Sequence, residues 1–337
     1  MSQFGRRQFL TALGATALAI PFDCGARRGR KVPLVGVIVA GNRRRPSGEL
    51  FWEPLISTAF GKAGYTIGTD IDLEWRYAEG KLERVKSFAE EFVRLEVDVI
   101  LSLQSYPAVG FIKAAASNTP IVMHGYPPNP VVTGLIASFA RPGGNVTGTT
   151  WVRDITELTV KQFQLLKEAA PKAMRVAVLR WTKSPPAPWV AQLGARVNKS
   201  FGFEVEDFPV ANPPELRAVL NKISTHKPDA LFVFTEAFIA QHGRDIANFS
   251  IERKLISIGS GVSFAFSGGL LYYGPSYTQL IDRSISYVDR ILRGANPGDL
   301  PVEEPTDFEF VFNAKTARAI GYSLPASLQL RADRMIE

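Results

Sequence analysis

From Val32 onward apolar, β-rich runs alternate with amphipathic segments at helical spacing, and at Ala140–Thr150 the alternation stops and then begins again. The interrupting stretch reads Ala-Arg-Pro-Gly-Gly-Asn-Val-Thr-Gly-Thr-Thr. Pro142 has no backbone donor, and Gly143 and Gly144 can supply dihedrals that other residues avoid, so no helix is expected to run through this point. Val146–Thr150 is β-prone and predicts a short strand by which the chain leaves one half and enters the other. A joint between two α/β arrays implies two lobes with a cleft between them.

The arrays are regular. In the first, strands are expected at Val32–Ala40, Ile71–Trp75, Val97–Leu103 and Pro120–His124, with helices at Leu50–Ala63, Leu82–Leu95 and Ala108–Ala116. In the second, strands are expected at Arg175–Arg180, Phe203–Phe208, Ala230–Phe234 and Ile256–Gly259. Helices separate them at Leu158–Ala170, Trp189–Phe201, Pro214–Thr225 and Gln241–Ile251. Such alternation predicts the α/β class, two Rossmann-like doubly wound lobes of mostly parallel strands. The tail supplies strands at Gly268–Gly274 and Asp307–Asn313 around a helix at Tyr277–Arg293. It is expected to cross between the lobes twice more, which makes three crossover segments. The expected lobes are residues 32–146 with 271–300, and residues 147–270 with 301–337.

Residues 1–31 read as a leader. Arg6-Arg7-Gln8-Phe9-Leu10 is a basic opening, and the apolar run Leu10–Phe22 is too short to span a bilayer. The arginine pair resembles a twin-arginine signal, an ordinary secretory signal being the alternative, and the expected location is the periplasm. Residues 1–31 carry a basic excess of five, so cleavage beyond Lys31 takes the formal charge from +7 to about +2. That near-neutral balance gives little support to nucleic-acid binding. Cys24 is the sole cysteine, which excludes an internal disulfide. It follows the apolar run, where a lipid anchor would attach, but Pro21-Phe22-Asp23 lacks the small residue expected before a lipidated cysteine.

Catalytic patterns are thin. His124, His226 and His242 fall on separate elements with no partner at metal-ligand spacing, so neither a metal nor another cofactor is expected. Ser260 has Ile258 and Val262 where a nucleophile elbow needs glycines. No Gly-x-Gly-x-x-Gly follows the first strand. What remains is the cleft at the carboxyl ends of the strands, where open α/β sheets bind ligands. The first lobe places Asn42, Gln104, Ser105, Tyr106, His124 and Tyr126 there. The second places Trp181, Thr182, Thr235, Glu236 and Ser260, with Tyr273 at a crossover. Aromatic faces mixed with small polar groups suit a small organic molecule, and Glu236 is placed to pair a ligand amine.

Several longer motifs carry a resemblance: Ala63-Gly64-Tyr65, Glu74–Gly80, Arg141–Gly148, Tyr273-Gly274-Pro275-Ser276, Tyr287–Gly294 and Asp299–Thr306, ending in Phe308-Glu309 and Asn313. Together they resemble the exported ABC-transporter solute-binding proteins of the tryptophan/tyrosine-type group. The resemblance implies the class I periplasmic-binding fold, hinge closure around one ligand, no enzymatic activity, a monomer, and docking of the loaded form on a membrane permease. Where relatives carry small residues and a Thr, Asp-Pro and Asn-Pro, this chain has Gln104-Ser105-Tyr106, Asn129-Pro130 and Trp181-Thr182. Added bulk and lost charge shift the expected ligand from a typical amino acid toward an aromatic or otherwise flat one. The alternative on the same two-lobe fold is a ligand-sensing input protein or an enzyme.

Overall fold

The computed structural model describes residues 32–337 apart from 45–47, 104–106, 127–128, 153, 183–184 and 236; for Tyr126, Ala237 and Phe238 it describes the backbone alone. The expected leader, Cys24 included, lies outside the described residues. The first lobe runs β1 (Leu34–Val39), α1 (Trp52–Lys62), β2 (Asp72–Tyr77), α2 (Glu83–Arg94), β3 (Val99–Leu103), α3 (Ala108–Ala115), β4 (Ile121–Tyr126) and β5 (Val146–Thr150). The second begins with α4 (Ile155–Ala169), β6 (Arg175–Trp181), α5 (Ala187–Phe201), β7 (Glu204–Val210), α6 (Pro213–His226) and β8 (Ala230–Val233). It continues through α7 (Ala237–Gln241), α8 (Gly243–Glu252), β9 (Ile256–Gly259), α9 (Val262–Phe266) and β10 (Leu271–Pro275). Then α10 (Tyr277–Leu292) packs back on β3, β4, β5 and α1 of the first lobe. The chain ends in the second lobe with β11 (Phe308–Asn313), α11 (Ala314–Ile320), α12 (Ala326–Gln329) and β12 (Arg334–Ile336).

Each lobe is built on one sheet. The first has the order β2-β1-β3-β4-β5 with every pair parallel. The second has the order β12-β11-β10-β9-β8-β6-β7, parallel except where β10 meets β11. Strand periodicity then decides which core each side chain joins. Along β1, Val35, Val37 and Val39 join the layer under α1 and α10, while Ile38 faces α2 and α3. Along β6, Val176 and Val178 pack toward α4 and α5, while Ala177 and Leu179 pack toward α6 and α8. Both faces of each sheet are therefore covered, which is why the strands read as continuous apolar runs.

The strand at Val146–Thr150 forms, but it does not enter the second half. It completes the first sheet beside β4, with Ile121 N–H donating to Asn145 O at 2.7 Å and all five residues buried. β10 likewise belongs to the second sheet, paired with both β9 and β11. The crossings fall a few residues later than the expected boundaries, after Thr150, at Ser276 and beyond Glu303. The expected helix Gln241–Ile251 forms as α8, with the short α7 ending at Gln241 ahead of it and His242 between them.

The crossings are tied to one another. Thr150 N–H donates to Glu303 O at 2.9 Å, and Glu303 N–H to Gly148 O at 3.1 Å. Ser276 N–H donates to Asp307 O at 2.8 Å. These hydrogen bonds satisfy backbone groups between the segments that change lobes and tie the three crossings to one another.

Candidate functional site

Parallel strands send their carboxyl ends, and the amino ends of the helices that follow, to one edge of a lobe. Asn42 is exposed just beyond β1. Gln104, Ser105, Tyr106 and Glu236 lie outside the described residues, and Tyr126 is described only as the end of β4. In the second lobe, Thr182 is exposed and its N–H donates to Val210 O at 3.0 Å, while Trp181 is half-buried at the end of β6. Thr235 and Ser260 do come together: Thr235 N–H donates to Ser260 Oγ at 2.9 Å, and Ser260 N–H donates to Val233 O. That pair caps the strand ends. Tyr273 lies within β10, its ring stacked on Phe308 at 5.9 Å and its carbonyl accepting from Gln162. It is packed into the second lobe's core layer and is half-buried there.

A ring cluster that the sequence reading did not single out stands at the crossings. Tyr277, the first residue of α10, has its ring 5.5 Å from His124, 5.6 Å from Trp52, 5.9 Å from Phe51 and 6.1 Å from Trp151. Phe51 and Trp52 open α1, and Trp151 follows β5 directly. Helix starts and strand ends from four segments thus put five rings at the carboxyl edge of the first sheet. Trp52 is 1% exposed and belongs to the core; Phe51, Trp151 and Tyr277 are half-buried and keep part of their rings at the surface. Gly125 lies against Trp151, where a Cβ would make ordinary contact with the indole at 3.5 Å; its φ of +59° is what calls for glycine.

His124, expected as a ligand contact, is instead 3% exposed beneath Trp52 and Tyr277. Its Nδ1 lies 3.0 Å from Ser284 Oγ, and Ser284 gives its own proton to Leu280 O, so the imidazole is the donor. Thr149 Oγ1 joins the same network, accepting from Gly125 N–H at 3.0 Å and lying 3.3 Å from Ser284 Oγ. The network locks β4, β5 and α10 where the crossings begin. Burial pushes the His124 pKa down to about 4, only partly opposed by the Leu280 carbonyl. The ring is neutral when folded, whereas the unfolded chain protonates near 6.5. Its stabilising effect is therefore complete above about pH 6.5 and is lost as pH falls toward 4, by about 3 kcal/mol in all. Denaturant midpoints should drop across that window with a one-proton slope, and His124→Gln should flatten the slope.

Near the ring cluster, Glu53 accepts from Arg43 Nε at 2.9 Å, and Tyr77 carries a hydroxyl raised in pKa by burial and by that carboxylate. A cavity of about 640 Å³ also opens beside the crossings, lined by Thr149, Ser276, Gln279, Arg283, Glu303 and Asp307. Its most basic group is already engaged, Arg283 donating to both Glu303 oxygens. Among the described residues, no three His, Cys, Asp or Glu side chains group as a metal site, and no helix is long and apolar enough to cross a membrane.

Known proteins resemble this chain in sequence and fold. A curated tyrosine-binding protein from Clostridioides difficile (strain R20291) is 26% identical over 257 residues, spanning 76% of this chain and 72% of that protein. Among solved structures, a domain in complex with L-Trp from Streptococcus pneumonia superimposes with a TM-score of 0.74 at 22% identity, covering 90% of this chain and all of that one (100%). A ligand-free, open substrate-binding protein with adhesive properties from Clostridium difficile gives a TM-score of 0.64 at 22% identity, covering 90% and 99%. The model of the family described as ABC transporter substrate binding protein matches residues 55–336. The chain belongs to the ABC transporter substrate-binding protein family.

Proposed function

We propose that this protein captures an aromatic amino acid or a similarly flat organic molecule between its lobes and presents it to the permease of an ABC importer. The observation that carries this reading is the ring cluster at the crossings. Half-exposed Trp151, Tyr277 and Phe51 stand on a floor of Trp52 and His124, and together they offer a ligand ring both a face and an edge. The curated relative's name, tyrosine-binding protein, and the L-Trp held by the pneumococcal domain support the same class of ligand. Calorimetry against L-tyrosine, L-tryptophan, aryl carboxylates and L-leucine tests it. Heat with the flat ligands and none with leucine is expected; silence from every flat ligand overturns the reading.

Substrate-binding proteins of this family are extracellular or periplasmic. The finer reading is a monomeric periplasmic protein, exported through a twin-arginine leader at Arg6-Arg7 and released without a lipid on Cys24. Its closing bodies are residues 32–150 with 277–303 and residues 155–275 with 308–337. Closure is supported by the far side of the molecule. Gly80 follows β2, the edge strand opposite β5, and a Cβ on it would stand 3.0 Å from Gln241 Nε2 of the second lobe. Four strand spacings put that contact about 19 Å from the β5 edge, so a rotation of about 10° would part it by about 3 Å. Glu79 and Gly80 both have positive φ and are held by Gly41 O and Ala40 O, which leaves the loop little room to yield. Gly80→Val should therefore weaken ligand binding about tenfold by opposing closure. Gln241→Ala in the same chain should restore part of the affinity, whereas strain in the Gly80 loop alone would leave it unrestored.

A further inference from the structure

β6 leaves the second sheet at its carboxyl edge with an arginine turned inward. Arg180 is 3% exposed, and all three guanidinium nitrogens are engaged. Nε donates to Asp207 Oδ1 at 2.8 Å and Nη2 to Asp207 Oδ2 at 2.7 Å, a two-bond fork onto β7. Nη1 donates to Trp181 O at 3.1 Å, Thr182 O at 3.4 Å and Pro185 O at 3.0 Å. A buried ion pair that served only to join β6 and β7 would need no more than the fork. The third nitrogen instead takes the carbonyls of Trp181, Thr182 and Pro185, between the end of β6 and the start of α5.

Trp181 and Thr182 lie at the edge where α/β sheets bind ligands. Trp181 sits on the face of β6 opposite Arg180, half-buried against the layer of Leu179 and Phe208. Arg180 thus touches the backbone that sets Trp181 and does not itself reach the cleft surface. We propose that Arg180 is the positioning residue at the ligand-facing end of β6, fixing the Trp181 ring through the carbonyls of residues 181, 182 and 185. The proposal rests on the solute-binding reading above. Lysine could keep the charge opposite Asp207 but has neither the fork nor a planar second edge, so it cannot hold the carboxylate and the three carbonyls together.

The test uses Arg180→Lys, Trp181→Ala and the double variant of the full mature chain, with L-tyrosine and L-tryptophan as probes. Arg180→Lys should stay folded, bind the preferred probe at least tenfold more weakly, and add little further loss in the Trp181→Ala background. Wild-type affinity in Arg180→Lys, or fully additive losses in the double variant, overturns the proposal. Hydrogen exchange provides an arm that needs no ligand. In Arg180→Lys the amides of Thr182, Trp189 and Val190, held by Val210 O and Pro186 O, should exchange at least tenfold faster. The amide of Phe234, bonded to Leu179 O within the sheet, should not change. If the wild type binds neither probe, the solute reading fails for those ligands while the exchange arm still decides: unchanged exchange at Thr182, Trp189 and Val190 overturns the positioning role.

Discussion

Gly148→Ala should leave little or no folded protein at 37 °C. Gly148 has φ of +123°, a backbone conformation that side chains rarely adopt. A Cβ there would also stand 2.2 Å from Met123 O and 2.8 Å from Met123 N. Neither strand can step aside. Met123 is fully buried in β4, and Gly148 O accepts the Glu303 amide that joins the first crossing to the third. The substitution must distort the β4–β5 pairing or break the crossing ladder, and its cost should exceed about 4 kcal/mol, a large part of the 5–15 kcal/mol that holds a typical domain together. Gly144→Ala, four residues away in the same motif, is the control. Nothing lies within 4 Å of its Cβ position, so its effect should stay within about 0.5 kcal/mol. Soluble yield and thermal melting of the two variants measure the contrast. A Gly148→Ala protein that melts within a few degrees of the wild type would refute the close packing of β5 on β4.

The same strand marks where the sequence was legible and where it was not. Val146-Thr147-Gly148-Thr149-Thr150 announces extended structure through its β-branched residues, but local propensity says nothing about which sheet will accept the strand. The partner is chosen by Gly148 and Asn145. One lets the backbone of β4 approach, and the other places its carbonyl for Ile121 and its amide for Ala116 O and Thr119 O. Buried strands such as Val99–Leu103 and Ala230–Val233 were legible because both of their faces are apolar. The short helices Val262–Phe266 and Ala326–Gln329 span too few residues to establish a period. For the site, the rule that ligands lie at strand ends points to one edge of each sheet and says nothing of the depth of each side chain. It placed His124 at the surface because a strand-end histidine is polar, whereas the rings of Trp52 and Tyr277 cover it. It passed over Phe51, Trp151 and Tyr277 because they stand on crossings and helix starts, where periodicity carries no information. The available signal was the position of Trp151 and Tyr277, each one or two residues beyond a strand that ends at a crossing.

Trp151→Ala should abolish most of the binding of an aromatic ligand while sparing the fold. The three half-buried rings divide structural and binding roles unequally. Tyr277 contacts four other rings, so Tyr277→Ala removes packing from His124 and Trp52 and should lower stability by about 3 kcal/mol as well as affinity. Trp151 contacts Tyr277 edge-on at 6.1 Å and rests over Gly125. Its loss removes ligand-facing surface with less damage beneath. Burying a ligand ring against an indole is worth about 2–3 kcal/mol when area and ring geometry are combined, or roughly 30- to 150-fold in Kd. Calorimetry with the preferred flat ligand should show that loss for Trp151→Ala with a melting temperature within a few degrees of the wild type, and near-wild-type binding for Tyr277→Phe. Loss of affinity only in proportion to loss of stability would make the cluster a piece of core. Wild-type affinity in Trp151→Ala would move the ligand away from the crossings altogether, toward the Arg180-held end of β6 and the Thr235–Ser260 pair of the second lobe.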